Sequence, residues 1–470
     1  MYSVLKAKGS NTNNPNTYAA LNENDDFGTY IKELLPTITQ RDDTITILAN
    51  CTLKSDPQNS SAITKTIELY KLINGELKPL DEFVGMNITK FEDLKDLFKN
   101  ISAQFTAPRK LIFTYGHGSV FGIFAQTQTI AAVDNLFNSI KRKGLHRISL
   151  AREIATIFKA KALSKLQVGE HYIGYENDYI TQTDLDADTN RLLSNEELAQ
   201  AIKASFGKID ILIMNNCLMQ NVYAQTAFKD AVGYLIAPQS GITYPGFDLQ
   251  NIFTSFAPTP DISKIAEKIV RFFDESKEAV TAGYLIMAYD LSGYLDVLNI
   301  IKGLKNYLQT KLENPLLSYK SNIVNSLSLV PLPFDQFISS GISMFDIFQW
   351  TNELLLKDPS TDLQNIVTSI EAYRNKITNY EFIGKEVNIV TKKGQHPFVY
   401  SKTNISGLCV YLPRNIQCKN SIIESVYDTS CDFENTVKWK EMVELYTSQT
   451  PKEIDNIKNN IKFMWVNPPG

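Results

Sequence analysis

Residues 208–239 read KIDILIMNNCLMQNVYAQTAFKDAVGYLIAPQ. KIDILIM is an apolar run of strand length with no polar alternation, as in a strand covered on both faces. It leads directly into Asn215, Asn216 and Cys217. In LMQNVYAQTAFKDAV, Leu218, Ala224, Phe228 and Val232 supply most of one apolar face. That spacing predicts an amphipathic helix beginning just after Cys217 and stopped at Gly233. YLIAPQ then reads as another buried strand. Strand, helix and strand in that order are the unit of a mostly parallel α/β sheet with helices on both faces.

Upstream, the chain continues in the same style. RKLIFTYG (109–116) is a short apolar strand ending on a glycine, and ITKFEDLKDLFKNISAQF before it carries Phe91, Leu94, Leu97 and Phe98 at helical spacing. TITILAN (Thr44–Asn50) reads as a further buried strand of this α/β pattern. Between them, Ile67–Phe83 reads as a hairpin turning at Asn74-Gly75, residues that tolerate the positive φ angles of a tight turn. Ser194 and Glu197 have capping-box spacing, so a helix is expected over Glu196–Phe206 with Gly207 as its stop. Beyond about Asp290 helical patterns dominate, followed by the strands VNIVTK and ISGLCVYLP and a helix near Val437–Leu445. The expected organisation is a polar arm over 1–40, an α/β domain over 41–290, and a mixed, largely helical region over 291–470.

Charge and composition narrow the function. Forty-seven Lys and Arg stand against 51 Asp and Glu, a net charge of -4 over 470 residues. A protein that grips nucleic acid through its phosphates carries a basic excess, so no nucleic-acid partner is expected. No apolar run reaches the ~18 residues a membrane span requires. The opening 28 residues have no apolar core, so as written the sequence predicts a cytoplasmic protein; a secreted or periplasmic one would need a leader trimmed from it. Five cysteines (51, 217, 409, 418, 431) are too few for a disulfide scaffold and show no zinc-ligand spacing.

Two residues stand where chemistry is expected. His117, one of four histidines, follows a buried strand in TYGHGSVFG, and Cys217 follows another in IMNNCLMQN. The carboxyl ends of parallel strands share one edge, and open α/β folds place their sites there. A thiolate is stabilised by a helix N-terminus and by a neighbouring imidazole, which can later protonate a leaving amine. The amides of Gly118 and Cys217 are candidates to bind a developing oxyanion. Taken alone, a packed thiol and a turn histidine explain the same residues.

At these residues the sequence resembles the clostripain family of cysteine peptidases, bacterial relatives of the caspases, gingipains and legumains. FTYGHGSVFG and ILIMNNCLMQNVYAQTAF carry the likeness. LLSNEELAQAI, YLIAPQSGITYPGFDL, GYLIMAYDLSGYLDVLNIIKGL and GLCVYLP extend it from about Thr44 to Leu412. The resemblance implies a caspase/clostripain-like α/β sheet and a hydrolase acting on protein or peptide substrates through an acyl-enzyme. It implies His117 as general base, Cys217 as nucleophile, and Gly118 and Cys217 as oxyanion-hole amides.

The sequence also departs from the family. Relatives that cleave after Arg or Lys usually carry Asp two residues before the nucleophile, where Asn215 stands here, and Gly116 replaces the usual Asp before the histidine. Pro238-Gln239 stands where Ser-Glu is usual. A neutral amide cannot pair with a basic side chain, so Asn215, with Asp248 in PGFDL at the rim, is the expected substrate-binding set. These departures also motivate an alternative: a catalytically inactive clostripain-like binding or regulatory protein. No organic cofactor is expected. A calcium pattern, Asp186, Asp188, Asn190 and Glu197, has Arg191 where the turn glycine belongs, and the capping box already explains half of it. The basic tract Lys141–Arg147 lies where relatives undergo internal cleavage; a solvated loop explains it equally.

Overall fold

The structure is a computed structural model. It describes residues 5–7, 21–26, 35–37, 45–56, 59–86, 88, 90–115, 117–118, 120, 122–124, 167–168, 171–172, 192–216, 218–239, 247, 252, 261–275, 286–314, 319–329, 344–377, 387–391, 397–400, 406–412, 432–448 and 463–464.

The sheet that positions the site has four strands. Strands β1 (Leu111–Tyr115), β2 (Ile209–Asn215) and β3 (Val232–Pro238) run parallel, and β4 (Ile286–Asp290) closes the edge antiparallel to β3. The spatial order is β4-β3-β2-β1. Ile211, Leu212, Ile213 and Met214 of β2 are all buried, although successive side chains point to opposite faces. That requires cover on both faces, which explains why the sequence there shows no polar alternation.

One face is covered by α1 (Phe91–Gln104) and α2 (Asn195–Phe206), and the other by α3 (Ile262–Glu275), whose Ile265, Ala266, Ile269 and Val270 pack with Ile211, Ile213 and Ile236. Leu212, Met214 and Leu235 belong to the larger cluster with Leu97, Phe98 and Ile202. That cluster continues into the C-terminal helices, taking in Trp350, Trp439 and Tyr446. Within it Trp439 donates its indole N–H to the Tyr411 carbonyl at 2.7 Å, and Trp350 donates to Ser326 Oγ at 3.0 Å. The buried indoles thus keep the partners their polar ends demand.

Thr44–Asn50 does not join the parallel sheet. Its described part begins a strand, Ile47–Asp56, that pairs antiparallel with Asn59–Ile73, which in turn pairs with Glu76–Val84. The reason is local: the chain reverses almost at once and again at Asn74-Gly75, whose φ angles of 52° and 76° form the tight turn the sequence predicts. Pairing with a sequence neighbour closes a much shorter loop than a crossover to Leu111 would. Among the described residues no helix is long and apolar enough to cross a membrane.

Candidate active site

β1 and β2 are direct neighbours, in a register that sets Tyr115 beside Asn215. The chain therefore leaves both strands at one edge of the sheet, two residues before positions 117 and 217. His117 and Gly118 form a two-residue strand that pairs antiparallel with Gly122–Phe124, His117 opposite Phe124 and Gly118 opposite Ile123. Gly122–Phe124 pairs on its other side with Leu192–Ser194. A side chain at Gly122 would run into the backbone carbonyl of Leu193, so only glycine allows these strands to approach. Asn215 ends β2 and is buried, with 2% of its surface exposed. Cys217, Asp248, Gly116 and the basic tract 141–147 lie outside the described residues, as does the side chain of His117.

The described residues on either side of position 217 are held at three points. Thr114 Oγ1 on β1 donates to Asn216 Oδ1 at 2.7 Å, with both residues fully buried. The Gln220 amide N–H donates to the Pro238 carbonyl at 2.9 Å, tying the loop to the end of β3. Asn221 Nδ2 donates to the Leu218 carbonyl at 2.7 Å and to the Val120 carbonyl at 3.1 Å. Asn195 Nδ2 reaches the same Val120 carbonyl at 3.0 Å. Both loops contain a residue that L side chains rarely tolerate: Val120 has φ 73° and Leu218 φ 65°. For a β-branched valine this conformation is strained, at a cost of about 1–3 kcal/mol that surrounding contacts must offset.

The helix after Cys217 starts later than the sequence suggests. It spans Val222–Phe228, with Asn221 as its N-cap accepting the Ala224 N–H at 2.9 Å. Leu218 cannot begin a right-handed helix with a positive φ, and an Asn before an apolar run is a strong cap. Position 217 therefore precedes the helix by a whole loop, and the dipole's influence is concentrated in the first turn. The expected helix start directly after Cys217 is thereby corrected to Val222.

At Ser194 the capping box is present as read. Ser194 Oγ accepts the Glu197 N–H at 3.0 Å, and Glu197 accepts the Ser194 N–H at 2.9 Å. Glu197 is thus occupied as a cap, while Asp186, Asp188 and Asn190 lie outside the described residues. Among the described residues no group of three or more His, Cys, Asp or Glu could hold a metal ion.

Beside this cap, Glu196 is 8% exposed and accepts the Asp432 N–H at 3.3 Å; burial pushes its carboxyl up to about 7. Beyond the end of β3, Gln239 Nε2 donates to Asp346 Oδ2 at 2.9 Å and to Cys409 Sγ at 2.8 Å. Asp346 also accepts the amides of Phe348, Gln349, Ser406 and Gly407 and the Ser406 hydroxyl. Burial still raises its carboxyl above the ordinary carboxylate range. Burial, with the Asp346 charge beside it, pushes the Cys409 thiol well up, so this cysteine is an inert packed residue.

Asn195, Asn221 and the Gln239–Asp346 pair escape sequence reading because their partners lie far along the chain. Asn221 alone had a local signal, an Asn directly before VYAQTAF.

The model of the clostripain family matches residues 166–446, more than half of the chain. No curated protein sequence matches it. Among solved structures, it is similar to a secreted C11 cysteine protease of Bacteroides thetaiotaomicron, "iotapain", at 13% identity, covering 88% of this chain and 92% of that one with a TM-score of 0.50. An inactive zymogen C11 protease of Parabacteroides distasonis matches at 11% identity, covering 88% and 91%, with a TM-score of 0.48. A secreted C11 protease of Bacteroides thetaiotaomicron in complex with an irreversible peptide inhibitor matches at 10% identity, covering 83% and 89%, with a TM-score of 0.46.

Proposed function

This chain belongs to the clostripain family of cysteine peptidases, and we propose that within that chemistry Cys217 is its nucleophile and His117 its acid–base partner. The observation that carries the reading is the parallel pairing of Tyr115 with Asn215, which sends both residues' strands out at one edge. In the proposed cycle the Cys217 thiol gives its proton to the His117 imidazole, and the sulfur bonds to a peptide carbonyl carbon. The Gly118 and Cys217 amides bind the oxyanion that forms. The C–N bond then breaks as the imidazolium protonates the departing amine, leaving an acyl-enzyme. Water gives a proton to His117 while its oxygen bonds to the acyl carbon. The thiolate leaves and recovers its proton, and the product is a carboxylic acid.

Asn215 supports a specificity different from cleavage after Arg or Lys. Its position is buried and carries no negative charge to pair with a basic side chain, so an uncharged residue before the scissile bond is favoured. Asp248 is proposed as the acidic group of the pocket rim. No step of this cycle is assigned to an organic cofactor or to calcium. The cycle predicts equal rates in calcium and in chelator.

The test is labelling with peptidyl acyloxymethyl ketones carrying uncharged or basic terminal residues, followed by peptide mapping. Labelling at Cys217, abolished in Cys217→Ala and strongly slowed in His117→Ala, supports the reading. Absence of labelling across the series, in protein that is folded, assigns the chain to the inactive binding class instead.

A further inference from the structure

The carbonyl of Val120 is the meeting point of two buried asparagines from separate elements. Asn195 is the first residue of α2, and Asn221 caps the helix that follows the nucleophile loop. Both are 1% exposed, and Val120 is completely buried. Val120 stands three residues after His117, and Leu218, the other acceptor of Asn221, directly follows Cys217. The Asn221 amide is fully used: one N–H goes to each loop, and its oxygen accepts the Ala224 N–H. Both carbonyls belong to residues at positive φ, 73° and 65°, conformations that a non-glycine residue leaves unless something holds it there.

We propose that Asn221, supported by Asn195, is a positioning residue that locks the His117 loop and the Cys217 loop in one mutual arrangement. The residue type follows from the geometry. Aspartate has the acceptor for the cap but no N–H, and would face two carbonyl oxygens with a charge. Serine caps a helix about as well as asparagine but is too short to span both loops. Glutamine would displace the amide by a methylene. The strain at Val120 is then the reason for two donors: a single bond would leave the left-handed turn free to relax and carry His117 away from the sulfur.

This inference rests on the Cys217–His117 reading, and the experiment separates the two. Its readouts are kcat, KM and the pH profile of Cys217 alkylation by iodoacetamide in Asn221→Ser, Asn195→Ala, His117→Ala and a Val120→Gly Asn195→Ala double variant. Asn221→Ser keeps the cap, so the helix is retained; if that variant does not fold, Asn195→Ala decides, because it leaves Asn221 in place. The expected result is a kcat lower by about tenfold to a hundredfold at nearly constant KM. The alkylation profile should move upward by about one pH unit, in the direction of His117→Ala, as an imidazole withdrawn from a thiolate requires. Val120→Gly, which needs no support at positive φ, should restore most of the loss in Asn195→Ala.

Wild-type kcat and an unmoved alkylation profile in folded Asn221→Ser, or in Asn195→Ala where Asn221→Ser does not fold, would overturn the proposal, even with His117→Ala shifting the profile as expected. An alkylation profile unmoved by His117→Ala would instead overturn the dyad itself.

Discussion

Replacing Glu196 by Gln should make the protein more stable above neutral pH and nearly unchanged near pH 4.5. Glu196 is buried in the first turn of α2, where it accepts the Asp432 N–H, with the carboxylates of Asp432 and Glu197 nearby. Desolvation dominates, lifting its carboxyl from the ordinary 4.5 to about 7 against the opposing backbone hydrogen bonds. The native state thus binds this proton more tightly than the unfolded chain does. Its stabilising contribution is complete below pH 4.5, fades through the interval, and is gone above about pH 7. Each pH unit is worth about 1.4 kcal/mol, so the ionised group costs the native state about 3 kcal/mol at pH 8. Gln keeps the acceptor for Asp432 and never ionises. Urea unfolding of wild type and Glu196→Gln, both in a Cys217→Ala background to prevent self-digestion, measures the difference at pH 5 and pH 8. Glu434, also raised to about 7 by burial, is present in both proteins and cancels. A difference that stays flat between the two pH values would refute the reasoning.

Three further outcomes are expected. Gln239→Glu would place a second carboxyl against buried Asp346, in the position where relatives usually carry Glu; urea unfolding should show a loss of about 3–5 kcal/mol at pH 8. A loss under about 1 kcal/mol would mean the Asp346 site tolerates a second carboxyl. Asn215→Asp, profiled on a peptide library, should gain cleavage after Arg and Lys relative to wild type; an unchanged profile would remove position 215 from the specificity pocket. Gly122→Ala should lower thermal stability and activity together, since its methyl group meets the Leu193 carbonyl. Wild-type melting and turnover in that variant would show that these strands can separate at no cost.

Much of the sheet was legible because burial on both faces leaves a plain mark. Ile209–Asn215 and Val232–Pro238 are apolar runs of strand length, and their burial follows that pattern. The turn at Asn74-Gly75 and the box of Ser194 with Glu197 were readable for another reason: their chemistry lies within four residues. Thr44–Asn50 misled because an apolar run does not say which partner it pairs with, and the adjacent hairpin won. The late helix start was hidden by Leu218, whose apolar side chain fits the helical face although its backbone does not. At the site, the strand ends were predictable, while the bonds from Asn195 and Asn221 to Val120 were not. They join residues 75 and 101 positions apart, and no spacing rule reaches that far.

A crystal structure of the protein covalently captured by a peptidyl ketone measures the central relation outright, namely the separation of sulfur 217 from imidazole 117. The account predicts a thioether at that sulfur with an imidazole nitrogen within about 4 Å, and the two amides turned toward the ketone oxygen. An imidazole directed out of the groove, or the ketone attached to another residue, would contradict it.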